Sequence, residues 1–378
     1  MKAYVYTDAS LERYAGRFVW LSINTEDAKN AAFLKRYPIP ALPTLLVLDA
    51  KRDAVTLRYV GGATAPQLQK ILGDAENTYR AKAQSGADTL LAKGDHLASD
   101  GKNAEAAKVY DQAIAAAPRS WKKLGRTAES LLFALSMAGE NERCAVRALE
   151  LYPRVKGSAS AANVSAVGLS CAVALDKEHA KRGQWMNRLE AATREVFDDR
   201  KIVMSDDDRS GLYISLIDAR DAAGDDVEAV RLKHEWSAFL EDAAARAKTP
   251  DQRTVYDSHR VSAYIDLGTP EKAVPMLEQS ERDFPDDYNP PARLALAWKA
   301  MKEYDKALAA SDRALARVYG PRKIGVLTTR ADIFAAKGDA KAAKDTIAQA
   351  IEVAKSLPEG QRSDRRIASL EKRLASMP

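Results

Sequence analysis

The chain has 378 residues and a formal net charge of +5, a length that fits two or three domains at roughly 150 residues each. Its 58 Lys and Arg interleave with 53 Asp and Glu, which makes a solvated surface and argues against a nucleic-acid partner. No run approaches about 18 apolar residues, so a membrane-spanning helix is excluded. Two cysteines and four scattered histidines supply neither a disulfide scaffold nor a local metal motif, so no metal or cofactor is expected. The opening MKAYVYTDAS shows no apolar signal-peptide core, which points to a cytoplasmic chain as written.

Residues 1 to about 75 hold the β-rich runs. Phe18-Val-Trp-Leu-Ser-Ile-Asn predicts a strand, being mostly apolar and of strand length. Thr25 is placed to cap the next helix, with Glu26 and Asp27 in its first turn. Pro38 and Pro40 end that helix. Thr44-Leu-Leu-Val-Leu reads as a strand covered on both faces. After a turn at 49–53, Val55, Leu57 and Tyr59 form one face of a further strand. Gly61-Gly62 breaks it, and 65–72 reads as a closing helix. The polar, helix-favouring segment 75–87 predicts a helical connection to the rest of the chain.

The order strand, helix, strand, hairpin, strand, helix resembles the later part of a thioredoxin fold. The resemblance is carried by Phe18–Asn24, by Tyr37-Pro-Ile-Pro-Ala-Leu-Pro-Thr-Leu-Leu-Val, and by Tyr59-Val-Gly-Gly. It implies a cis peptide bond at Pro43 and a substrate groove at Leu42, Pro43 and Thr44. The family's Cys-x-x-Cys has no counterpart here. Residues 1–18 look like the part of the family's first core helix that lies just after the dithiol. This places the natural start upstream of Met1, and a periplasmic location would result if a signal peptide lay there. The other reading makes Lys2–Tyr6 a replacement strand.

From about residue 76 the chain is Ala-rich with helical period. Leu90, Gly94, Leu97, Ala106, Tyr110, Ala113 and Pro118 mark one unit over 87–118. Tyr264, Ala273, Leu277 and Pro285 mark another over 254–285. Ala307 lies 34 residues after Ala273 within 288–321, and Phe334, Ala343, Ile347 and Ala350 mark 324–357. These units resemble tetratricopeptide repeats of about 34 residues. Residues 122–253 read as degenerate helices of the same solenoid, and 365–377 as a capping helix. The predicted architecture is an incomplete α/β thioredoxin-like domain over 1–75, then an all-α solenoid over 76–378, the combination found in a bacterial group.

A solenoid of helix pairs offers a concave groove lined by the leading helix of each pair, suited to protein or peptide partners. Arg260, Arg293 and Arg330 are the predicted lining, whereas the repeat pattern assigns Tyr264 and Trp298 to the core. Val60-Gly-Gly-Ala-Thr lacks phosphate-loop spacing, and Ser205-Asp-Asp-Asp-Arg reads as a capped helix start. Cys144 and Cys171 lie on helices flanking a short bend. At 1.5 Å per residue their heights differ by roughly 6 Å, so a disulfide has nearly the required reach, although two buried free thiols are the preferred reading. The expected function is an interaction scaffold with no catalytic residue. The alternative is a thiol–disulfide oxidoreductase whose dithiol lies upstream of Met1.

Overall fold

The structure, a computed structural model, describes residues 1–80 and 86–377. The connection predicted over 75–87 is helical up to Arg80 and again from Gly86; its middle lies outside the described residues. Contacts divide the chain into two units, Met1–Phe18 with Pro38–Lys233, and Val19–Tyr37 with His234–Pro378. The boundary predicted near residue 75 therefore falls inside the first unit. Among the described residues no helix is long and apolar enough to cross a membrane.

In the first unit, β1 (Thr44–Asp49) and β2 (Ala54–Val60) form a two-stranded antiparallel hairpin. Leu45 faces Tyr59 and Val47 faces Leu57, and an irregularity comes after Val47. Helix α2 (Ala65–Arg80) buries Leu68, Ile71, Leu72 and Ala75. Ile71 and Ala75 pack with Leu57 and Tyr59, with Leu45 and Val47 against them. Leu68 and Leu72 pack with Val5 and Tyr14, and the Tyr14 hydroxyl donates to the Gln69 carbonyl at 2.9 Å. Residues Lys2–Tyr6 are turns, so they form no replacement strand.

The helical part of this unit runs in pairs: α3 (Gly86–Ser99) with α4 (Asn103–Ala116), α5 (Leu124–Met137) with α6 (Asn141–Val155), and α7 (Ala159–Val173) with α8 (Arg182–Asp198). Then come α9 (Asp206–Ala223) and α10 (Asp226–Ala245), within which the first unit ends. Small residues let the helices approach: a Cβ on Gly94 of α3 would stand 2.5 Å from the Tyr110 ring of α4. Ser205 accepts from the Asp208 amide as the N-cap of α9, as its sequence implies.

The second unit comprises α11 (Pro250–Thr254), α12 (Asp257–Asp266), α13 (Ala273–Asp283), α14 (Asn289–Ala300), α15 (Tyr304–Arg317), α16 (Arg322–Lys337), α17 (Ala340–Ser356) and α18 (Asp364–Ser376). It also contains α1 (Ala31–Arg36). Val261, Tyr264, Ala273, Leu277, Leu294, Ala297, Ala307 and Ala310 form one core cluster, against which Trp298 packs. Ile324, Leu327, Ile347, Ala350 and Leu370 form another. The alanines occupy the crossings where two helices come closest, and leucine or isoleucine fills the space beside them.

The strand predicted over Phe18–Asn24 is absent. These residues are irregular, and Val19 and Leu21 are 91% and 76% exposed. Their would-be neighbour β1 pairs with β2 alone. An apolar run becomes a strand only beside a ladder that satisfies its amides, and from Val19 onward this run belongs to the other unit. The cap of the next helical stretch also differs: Asp27, not Thr25, accepts the amide hydrogen bond, from Lys29.

Candidate functional site

On the first unit the leading-helix face is partly covered by the chain's own hairpin. β2 packs along α3 and reaches α5. Arg58 on β2 is 4% exposed, with its guanidinium 5.5 Å from the Phe133 ring of α5; burial lowers its pKa. Beside it, Asp95 accepts from the Tyr110 hydroxyl at 2.8 Å and from Arg126 at 2.7 Å. Further along the same face, burial pushes the Glu129 carboxyl up to about 7 and that of Asp208 up to about 6.

The predicted groove at residues 42–44 sits ahead of β1. The Leu42–Pro43 bond is cis, and Leu42 is 56% exposed. The Pro43 carbonyl accepts from the Gly61 amide at 3.0 Å, and the Thr44 hydroxyl donates to the Ala41 carbonyl at 2.7 Å. Cys144 and Cys171 are joined by a disulfide with Cα atoms 6.1 Å apart, so the free-thiol reading does not hold. Both are buried, because α6 and α7 turn these faces toward each other across the bend.

The second unit holds a cavity of about 240 Å³ between the leading helices α14 and α16, reaching Ser311 of α15. Its lining includes Tyr288, Asn289, Arg293, Arg322 and Thr329, and no carboxylate. Burial holds the Arg293 pKa down, against the opposing charges of Asp257 and Asp287, with neither of which it forms an ion pair within 4 Å among the described residues. The Ser311 hydroxyl is fully buried and has no hydrogen-bond partner. An unpartnered buried hydroxyl favours a ligand that brings an acceptor, and the guanidinium at the lining favours an anionic one.

Of the three predicted arginines, only Arg293 lines this cavity. Arg260 lies over the Tyr264 ring at 5.9 Å and donates to its hydroxyl. Arg330 is ion-paired with Asp312 at 2.7 Å and lies over Phe334. The spacing placed all three on leading helices, but rotation about the helix axis and local acidic neighbours removed two of them. Arg322, Tyr288 and Ser311 were missed. Arg322 comes directly after the Tyr319-Gly-Pro loop that shifts the repeat register, and that shift was the one available signal.

Two of the lining residues, Tyr288 and Arg322, meet the chain's own segment Val19–Tyr37, which belongs to the same unit. Glu26 accepts from Arg322 Nε at 3.1 Å and from the Tyr288 hydroxyl at 3.3 Å. Burial and the Glu26 charge push Tyr288 up to about 12. Asn24 donates to the Tyr319 hydroxyl at 2.8 Å, Gln361 donates to the Thr25 carbonyl at 2.9 Å, and Lys35 pairs with Glu359 at 2.8 Å. Two glycines make this approach possible. A Cβ on Gly320 would collide with the Glu26 carbonyl, and one on Gly360 with the Ala31 carbonyl and, at 2.6 Å, the Lys35 amide.

No family model matches the chain, and no curated protein matches it. Among solved structures it is similar to a tetratricopeptide repeat protein from Parabacteroides merdae ATCC 43184, at 9% identity over 77% of this chain and 99% of that one, with a TM-score of 0.49. It is also similar to the APC/C heterotetramer Cut9-Hcn1, at 13% identity over 84% of this chain and 55% of that one, with a TM-score of 0.37. A third is the TPR2AB domain of yeast Sti1 in complex with pHSP90, at 15% identity over 77% and 98%, with a TM-score of 0.28. At these identities and scores none of the likenesses bears on what the chain binds.

Proposed function

We propose that the chain is a protein–protein interaction scaffold whose groove between α14 and α16 takes an extended peptide. The observation that carries this reading is the donor-lined cavity itself: the buried Ser311 hydroxyl has no partner among the described residues, Arg293 lines the cavity with only the charges of Asp257 and Asp287 acting on it from outside the lining, and no carboxylate lines it. The first unit has no comparable claim at α3 and α5, because β2 already covers that face. In the same reading residues 1–75 are a redox-inactive thioredoxin-like module and 76–378 the repeat region. What supports the module is the β1–β2 hairpin and the helix after β2. The chain's two cysteines are tied to each other in the helical region.

The test is an array of random extended peptides probed with the full chain and with its Arg293→Ala and Thr329→Trp variants. The expected hits are rich in Asp and Glu. Truncating Arg293 or filling the cavity from Thr329 should weaken them roughly tenfold or more, as loss of a charge-assisted hydrogen bond does. Hits that are indifferent to both substitutions would place the binding surface elsewhere.

A further inference from the structure

We propose that residues 19–30 are a displaceable internal occupant of this groove's mouth, and that the external partner is an extended segment presenting a carboxylate where Glu26 now sits. The inference rests on the peptide-groove reading and adds to it the ligand chemistry and its regulation.

Three independent features of the segment support it. First, over residues 19–30 its contacts with the helices include single hydrogen bonds and an ion pair. Val19 and Leu21 face solvent, whereas Leu34 and Tyr37 further on are buried and anchor the far end of the segment. The stretch 19–30 is therefore the part that detaches at low free-energy cost, since exposed pairs contribute little. Second, the one carboxylate it brings to the cavity mouth meets Arg322 at the start of α16 and Tyr288 just before α14. The Arg322 guanidinium favours an anion there. Third, the deeper donors receive nothing from the segment among the described residues: the Ser311 hydroxyl has no partner, and Arg293 has the charges of Asp257 and Asp287. Glu26 thus fills the outer position and leaves the inner one, at the Ser311 hydroxyl, unmet. A longer acidic partner can fill both, which gives it the advantage over the tethered strap.

A tethered occupant competes at an effective concentration in the millimolar range. A partner in trans must therefore either reach the inner donors or wait for the strap to leave. Weakening the strap should strengthen trans binding without any change to the cavity.

The experiment uses the full chain and fluorescence anisotropy. The probe is a labelled synthetic peptide of residues 19–30, with a second peptide carrying Glu26→Gln. The shorter peptide keeps Asn24, Thr25 and Glu26 but lacks Ala31 and Lys35. Gly360→Val in the full chain then expels the internal strap by its clash with those two residues and leaves the probe's own contacts intact. Glu26→Gln in the full chain weakens the strap by a second route, so the test survives if either variant misfolds. The expected result is weak binding by the unaltered chain and binding roughly three- to tenfold tighter, or more, by both variants. Arg322→Ala in the Gly360→Val background should abolish the gain, and the Glu26→Gln peptide should bind more weakly throughout. Equal affinity for the unaltered and variant chains, or equal affinity for the two peptides, would overturn the strap inference. If the Arg293-dependent array hits persist in that case, the groove reading stands without the strap; if they are absent as well, both fall.

Discussion

Gly94→Ala tests the helix crossing from which the repeat pattern is built. The new Cβ would lie 2.5 Å from Tyr110 Cε1 and 2.6 Å from Cδ1, so the ring must retreat by roughly 1 Å to reach ordinary contact. Tyr110 is 0% exposed and its hydroxyl is held to Asp95 at 2.8 Å, which leaves no free direction. Over-packing costs about 1–3 kcal/mol. Disturbing a buried hydrogen bond to a charged group costs about 1.5–3 kcal/mol. The intrinsic helix preference for Ala over Gly returns about 1 kcal/mol. The net expectation is destabilisation by about 1.5–5 kcal/mol. Gly73→Ala in α2 is the control: nothing lies within 4 Å of its Cβ position, so it should stabilise by about 0.5–1 kcal/mol. Urea unfolding of the full chain, monitored by circular dichroism, compares the two midpoints. A Gly94→Ala chain as stable as the unaltered protein, or as Gly73→Ala, would refute the close-crossing argument.

Two further predictions concern the first unit. Burial raises the Glu129 carboxyl to about 7, with the Asp208 charge adding to the rise and hydrogen bonds from Ser160 and Asn163 opposing it. The folded state therefore binds this proton more tightly than the unfolded chain, and stability is lost as pH rises from the ordinary carboxylate range through about 7. Glu129→Gln should gain as much as about 3 kcal/mol at pH 8 and nothing at pH 4; a gain that is the same at both values would contradict the burial argument. The Cys144–Cys171 bridge closes a loop with a sequence separation of 27, so replacing both residues with Ser should lower stability by about 3–4 kcal/mol. Protein purified under oxidising conditions and denatured without reductant should show no reactive thiol, and two titratable thiols there would exclude the bridge.

The sequence by itself determined the helix pairs of the repeat region. Ala273 and Ala307, 34 residues apart, both sit at 0% exposure in the same cluster, and Gly94 meets Tyr110 as the unit over 87–118 requires. Such marks are legible because a helix crossing makes a local, periodic demand: a small residue at the contact and a large one beside it. Arg293 was legible for the same reason, since register alone placed it on a leading helix. Only the tertiary structure decided the rest. Whether Phe18–Asn24 became a strand depended on a ladder partner, which no local pattern encodes. Whether Cys144 met Cys171 depended on how two helices are rotated about their axes, which a height difference leaves open. Glu26 is met by Arg322, 296 residues away in sequence. A surface carboxylate looks the same in a sequence whether it faces water or fills the mouth of a groove. What separates the two cases is the set of donors that folding brings to it, and those are long-range.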